Sequence, residues 1–170
     1  LMGRSASHIA LECALQTQPN ICLVSEEVEA KEMSLDDVVT YIAKVVADRA
    51  ADGNNFGTVL IPEGLIEFIP AIKKLIAELN EVLTDPATGE SREFANAEEQ
   101  IDFVKNSIAK ENLAILESLP EDVARQLCLD RDPHGNVQVS LIETEKLLSR
   151  MVEKKLEAWK EEGKYNGNFS

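Results

Sequence analysis

Hydrophobic residues in the first half of the chain alternate between short unbroken runs and helical stripes. The runs at 21–24 and 58–61 are typical of strands covered on both faces of a parallel sheet. Between them, a capping-box sequence at 34–37 opens a stretch to residue 46 with apolar positions at helical spacing. A strand, a helix and a strand in this order predict a right-handed crossover between parallel strands. We therefore expect the two runs to lie adjacent or close in one sheet.

Two further helices are predicted before residue 84. Residues 6–17 are apolar around almost the whole helical circumference, which predicts a buried helix. Residues 65–69 predict a short turn, because Pro70 interrupts the pattern there. Proline is tolerated in the first turn of a helix, so a longer helix is expected from Pro70 to residue 83. Its predicted buried face consists of Ile72, Leu75, Ile76, Leu79 and Leu83.

The pattern changes near residue 83. Residues 84–89 predict a loop, and beyond it apolar positions recur at helical spacing among many charges, which predicts about four helices. A capping-box sequence at 140–143 is expected to open the last helix, which runs to about residue 162. The expected fold class is α/β, with a partial parallel sheet and flanking helices over 1–83, followed by a mostly α-helical module over 84–170.

Composition narrows the classes of partner. The 170 residues are 44% hydrophobic, enough for a core, and carry a net charge of −14 without a basic stripe, which argues against nucleic acid. A bound phosphate therefore needs a local positive site. No apolar segment reaches the length of a membrane span, and we see no signal peptide, so the prediction is a cytoplasmic protein without a membrane partner.

The cysteines and histidines carry weak signals. Cys13, Cys22 and Cys128 lack metal-type spacing and predict buried thiols in a reducing compartment, with no metal site. His8, at the start of an apolar helix, is more typical of a hydrogen-bonded packing histidine than of a catalytic base. His134 lies in a Pro-Gly-Asn turn and is expected at the surface.

Two positions are candidates for ligand binding. Glu63 lies just past the carboxyl end of the second strand, where open α/β sheets bind ligands, although a solvated turn residue is the alternative. Gly3 before Arg4 allows a close backbone approach while the guanidinium binds phosphate oxygens, although an ordinary loop is the alternative. Ser5 or Ser7 can cap the helix that follows, and its N-terminal amides favour an anion.

These residues resemble the sugar-phosphate half of the phosphofructokinases. The segment Met2-Gly3-Arg4 is similar to the motif by which phosphofructokinases hold fructose 6-phosphate, and the similarity extends through residues 6–20. Residues 61–64 resemble the later segment, whose glutamate contacts the sugar hydroxyls. The chain is most similar to the long, pyrophosphate-dependent group, and residues 84–170 are consistent with the insertion which that group carries.

The resemblance implies a role in glycolysis. Such enzymes reversibly transfer a phosphoryl group from pyrophosphate, with Mg²⁺, to the 1-hydroxyl of fructose 6-phosphate, which gives fructose 1,6-bisphosphate. The resemblance also implies that Met2, Gly3 and Arg4 position the sugar phosphate and that Glu63 fixes ring hydroxyls.

The family's donor loop, its catalytic-base segment and a later segment of the sugar site do not occur in these 170 residues. We therefore expect no catalytic residue and no Mg²⁺ ligand here. We expect this chain to be part of an enzyme and to be inactive alone, because it needs the remainder of its parent chain. The full-length protein is expected to form a homo-oligomer. The residues leave the donor open between pyrophosphate and ATP. The alternatives are a non-catalytic regulatory relative and an acidic helical protein-docking module.

Overall fold

The computed structural model describes residues 7–85, 91–131 and 136–167. In chain order the described elements are α1 (His8–Thr17), β1 (Ile21–Cys22), α2 (Ser25–Ala30), α3 (Leu35–Ala51), β2 (Val59–Leu60), a 3₁₀ turn (Glu63–Phe68), α4 (Pro70–Leu83), α5 (Ala97–Ser107), α6 (Lys110–Ser118), α7 (Glu121–Leu129), a second 3₁₀ turn (Val139–Leu141) and α8 (Thr144–Glu161). They form two compact units, one from Leu1–Ile69 with Glu143–Ser170 and one from Pro70–Ile142. No helix in the described ranges is both long and apolar enough to cross a bilayer.

The first unit contains a small parallel sheet. Ile21 of β1 lies opposite Val59 of β2, and Cys22 lies opposite Leu60, which confirms the predicted pairing. The strands are shorter than the predicted runs, and within the described residues the sheet has these two strands. A small parallel sheet with flanking helices agrees with the α/β class in this coarse sense.

The capping box of α3 is confirmed. Ser34 Oγ accepts a hydrogen bond from the Asp37 backbone N–H at 3.1 Å, and the Asp37 carboxylate accepts one from the Ser34 N–H at 2.9 Å. Both bonds satisfy donors that the start of a helix leaves open. α3 packs against α8, and Lys155 of α8 binds the Asp36 carboxylate at 2.7 Å. The buried positions of α3 are Val38, Val39, Ile42 and Ala43.

The prediction that the first helix is buried is wrong. Of the residues that form α1, Ala10 is buried, whereas Leu11 is 45% exposed and Leu15 is 75% exposed. α1 packs against β1, so only part of its circumference is covered by described residues. The apolar residues around a helix show which surfaces it can bury, but they do not show which of these surfaces other residues cover.

The second unit is helical, and so is most of the described part of residues 84–170, as predicted. α4 begins at Pro70 directly after a short turn, which confirms that prediction, and packs against α5, α6 and α7. Its buried residues are Ile72, Leu75, Leu79 and Leu83. The side chain of Asn80 accepts hydrogen bonds from Arg131 at 3.2 Å and from the Val137 N–H at 2.7 Å, which ties the end of α7 to α4.

The compact units do not follow the predicted boundary at residue 83. α4 belongs to the second unit and α8 to the first. α8 also begins at Thr144, later than the capping-box sequence at 140–143 predicted, because a 3₁₀ turn occupies Val139–Leu141. The periodicity of α8 gives its apolar face, but not the helix on which that face packs. The assignment of 1–83 to fructose 6-phosphate binding stays a prediction.

Candidate functional site

The candidate site lies at the carboxyl edge of the two-stranded sheet. β1 leads into α2, and β2 leads into the turn that begins at Glu63. Because the strands are parallel, both connections leave the sheet at the same edge, where α/β sheets bind ligands. α2 and the Glu63 turn also pack against each other. The two segments that follow the strands therefore meet at one place.

The backbone of Glu63 is held by a buried side chain, whereas its carboxylate is unengaged among the described residues. It is half-buried between Pro62 and Gly64, which are both buried. Its backbone carbonyl accepts a hydrogen bond from the Thr144 hydroxyl at 3.0 Å, and Thr144 is 2% exposed. Within the described part of the chain, the Glu63 carboxylate has no hydrogen-bond or ion-pair partner. A carboxylate in this state can accept hydrogen bonds from the hydroxyl groups of a ligand.

Ser7 connects the start of α1 to the same edge. Its hydroxyl oxygen accepts a hydrogen bond from the Ser25 N–H at 2.7 Å, and its own N–H donates to Glu26 Oε1 at 3.0 Å. Ser7 and Ser25 are 1% and 2% exposed. Ser7 occupies the N-cap position of α1, but its hydroxyl does not cap the helix, because it accepts from the start of α2 instead. Ser5, the other predicted cap, lies outside the described residues.

Glu26 was not singled out by the sequence. The Ser7 backbone N–H is the main cause that lowers the pKa of the Glu26 carboxyl below its usual value. Its own backbone N–H, the Ser7 hydroxyl and the charge of His8 act in the same direction. One sequence signal was available, because Glu26 follows the end of β1 closely, as Glu63 follows the end of β2.

The remaining predicted site residues lie at the start of the chain. Met2, Gly3, Arg4 and Ser5 lie outside the described residues, and so does His134. Arg4 precedes Ser7 by three positions. The structure thus brings Ser7, which follows the Gly-Arg motif by three positions, to the sheet edge at which Glu63 begins its turn.

His8 and the cysteines differ in part from expectation. His8 is exposed, so its interpretation as a packing histidine is wrong. Cys128 is buried as predicted, and burial raises the pKa of its thiol. Cys13 and Cys22 are only half-buried, and all three thiols are free.

Among the described residues, no group of three or more His, Cys, Asp or Glu side chains is arranged to hold a metal ion. A cavity of about 270 Å³ lies at the opposite, amino edge of the sheet, where its lining includes Asn20, Arg49, Thr58 and Tyr165.

The comparisons with known proteins agree with one another. The chain is 62% identical over 170 residues to a pyrophosphate–fructose 6-phosphate 1-phosphotransferase of Porphyromonas gingivalis, covering 100% of this chain and 31% of the relative. It is 51% identical over 170 residues to the Treponema pallidum protein of that name, covering 100% of this chain and 30% of the relative. Over 169 residues it is 51% identical to the beta subunit from Solanum tuberosum, covering 99% of this chain and 28% of the relative.

The chain belongs to the pyrophosphate–fructose 6-phosphate 1-phosphotransferase family. It spans about three tenths of the length of these curated relatives: 31%, 30% and 28%, respectively. No protein-family model matches the chain. Membership of this family agrees with the resemblance that Met2-Gly3-Arg4 and residues 61–64 carry in the sequence.

Proposed function

We propose that this chain is part of an enzyme that reversibly transfers a phosphoryl group from pyrophosphate to the 1-hydroxyl of fructose 6-phosphate. The observation that carries the proposal is the 62% identity over the whole chain to a relative whose name states both substrates. The alternatives, a regulatory relative and a helical docking module, receive no support from these names, since all denote phosphotransferases.

The role proposed for this part of the enzyme is to bind the sugar phosphate. Arg4, with Met2 and Gly3, holds the phosphate, because a guanidinium forms strong charge-assisted hydrogen bonds to phosphate oxygens. Glu63 accepts hydrogen bonds from ring hydroxyls. Its fixed backbone and unengaged carboxylate among the described residues support this assignment. Both roles are binding roles, and we assign no proton transfer to either residue.

The donor and the metal belong to the same proposal. The relatives' names support pyrophosphate rather than ATP as the donor. Mg²⁺ supplies charge neutralisation during phosphoryl transfer when it is bound. We assign its ligands to the remainder of the parent chain, because the family's donor loop and catalytic-base segment do not occur in these 170 residues. We also propose a cytoplasmic location and a homo-oligomer. The name of the potato relative refers to a beta subunit, which is consistent with assembly in this family.

The test is an activity assay of the full-length protein. Formation of fructose 1,6-bisphosphate from fructose 6-phosphate is followed with pyrophosphate or with ATP as the donor, each with and without a chelator of divalent cations. We expect activity with pyrophosphate that the chelator abolishes, and little activity with ATP. A protein that uses only ATP, or that phosphorylates no sugar phosphate, would contradict the proposal.

A further inference from the structure

We propose that Ser7, Ser25 and Glu26 form a clamp that positions the Met2-Gly3-Arg4 segment for binding fructose 6-phosphate. The inference rests on the proposed function, which assigns the sugar phosphate to Arg4. The three residues are called the Ser7 clamp below. They are positioning residues, because they act through the segment that precedes Ser7 in the chain.

Ser7 forms hydrogen bonds to α2 rather than to the helix that it precedes. A serine before a helix commonly caps that helix with its own hydroxyl. Ser7 makes no such bond to α1. Its hydroxyl accepts from the Ser25 N–H at 2.7 Å and its N–H donates to Glu26 Oε1 at 3.0 Å. The hydroxyl and the N–H of Ser7 are thus engaged by the first two residues of α2, which are 18 and 19 positions away in sequence.

The hydrogen bond between Ser7 and Ser25 is buried. Ser7 is 1% exposed and Ser25 is 2% exposed, so water does not replace the bond between them if it is lost. The clamp therefore fixes the backbone where the chain enters α1. The bond from Ser7 to Glu26 is also charge-assisted, and such bonds are stronger than bonds between neutral groups.

The position of α2 in the fold links the clamp to the Glu63 turn. α2 starts at the carboxyl end of β1 and packs against the turn that begins at Glu63. Arg4 lies three positions before Ser7, and three residues of chain span at most about 11 Å. The clamp consequently ties the segment that carries Arg4 to the structure that carries Glu63. Small errors in the position of a binding group reduce turnover strongly.

The experiment compares clamp variants with matched controls in the full-length protein. Glu26→Ala removes the acceptor of the Ser7 N–H, and Glu26→Gln keeps an acceptor without the charge. Glu27→Ala is the control in the same helical turn, since Glu27 forms a surface ion pair with Lys31. Ser7→Ala removes the hydroxyl of the clamp, and Ser34→Ala removes a serine hydroxyl that caps α3.

The measurements are kcat, the KM for each substrate and the melting temperature. We expect Glu26→Ala and Ser7→Ala to raise the KM for fructose 6-phosphate about tenfold, with the KM for pyrophosphate changed less than about twofold. Glu26→Gln should restore the KM for fructose 6-phosphate to within about threefold of the parent value, because the amide oxygen can accept the Ser7 N–H. Glu27→Ala and Ser34→Ala should leave both KM values at those of the parent, although Ser34→Ala lowers the melting temperature.

Two results would overturn the clamp alone. One is an active parent enzyme in which Glu26→Ala has the kinetics of Glu27→Ala. The other is a rise of both KM values in step with a loss of stability, as for a purely structural residue. Glu26 is exposed, so its variants keep the test decisive if Ser7→Ala does not fold. A full-length parent that does not phosphorylate fructose 6-phosphate would overturn the proposed function, and the clamp with it.

Discussion

The hydroxyl of Thr144 donates a hydrogen bond of 3.0 Å to the backbone carbonyl of Glu63, across 81 positions of sequence. Thr144 is the first residue of α8 and is 2% exposed, and Glu63 is the first residue of the 3₁₀ turn after β2. α8 packs against this turn as well as against α3. The last described helix therefore supports the backbone of a candidate binding residue, although it lies far from it in the chain.

Replacing Thr144 with valine should affect both stability and sugar binding. Thr144→Val keeps the shape of the side chain and removes the hydroxyl that donates to the Glu63 carbonyl. We expect a loss of about 1 kcal/mol in the free energy of unfolding. In the full-length enzyme, the KM for fructose 6-phosphate should rise about threefold, because the Glu63 turn is less well held. Thermal melting and steady-state kinetics measure the two effects.

Thr17→Val is the matched control for this change. The Thr17 hydroxyl also donates to a backbone carbonyl, that of Cys13 at 2.7 Å, but it is exposed and at the far end of α1. Water can replace this bond when it is lost. Equal effects of Thr144→Val and Thr17→Val on the KM for fructose 6-phosphate would contradict the supporting role of Thr144.

Local features of the fold were predictable from the sequence. Ser34 and Asp37 have the residue types and spacing of a capping box, and both of its hydrogen bonds form. The position of Pro70 is compatible with the first turn of a helix and marks the start of α4. Each feature is set mainly by residues close in sequence.

Features that depend on distant partners were not predictable. The hydroxyl of Ser7 satisfies the Ser25 N–H rather than α1, which no rule about helix starts indicates. Leu15 is 75% exposed on a helix with an apolar circumference. Glu63 was identifiable because the strand-end rule refers to sequence order alone, and the same rule applied to β1 points toward Glu26.

The Asp37 carboxylate should make the stability of the first unit sensitive to acid. Hydrogen bonds from the Ser34 hydroxyl and the Ser34 N–H lower its pKa below the usual 3.8. Because the folded pKa is lower than the unfolded one, this contribution is present above about pH 4 and is lost as the pH falls through the folded value. Urea unfolding of the parent and of Asp37→Asn should therefore differ at pH 6 and converge toward pH 2.5.

Asp48→Asn is the control for the acid effect. Asp48 is an exposed carboxylate later in α3, outside the capping box. Its replacement should shift the unfolding midpoint by a smaller amount at pH 6. A difference between the parent and Asp37→Asn that stays constant from pH 6 to pH 2.5 would contradict the assignment.

The 170-residue chain by itself should fold without showing activity. It spans 31% of the length of its Porphyromonas gingivalis relative and carries a net charge of −14, which disfavours binding of free pyrophosphate. Partial contacts must still offset an association cost of about 4 kcal/mol or more, so we expect at best millimolar affinity for fructose 6-phosphate. Circular dichroism should show helix, and calorimetry and a coupled assay test binding and turnover. Formation of fructose 1,6-bisphosphate by this chain would contradict the expectation.

The most direct test of sugar-phosphate binding by this segment is the kinetics of Arg4→Ala and Glu63→Gln in the full-length enzyme. The exposed ion pair of Arg125 and Glu98 supplies the matched controls, Arg125→Ala and Glu98→Gln. A hydrogen bond to a charged group contributes about 1.5 to 3 kcal/mol, so kcat/KM for fructose 6-phosphate should fall about tenfold to a hundredfold in the site variants. The KM for pyrophosphate should stay within about twofold of the parent value in all four variants. A defect confined to pyrophosphate, or site variants with the kinetics of their controls, would contradict the account.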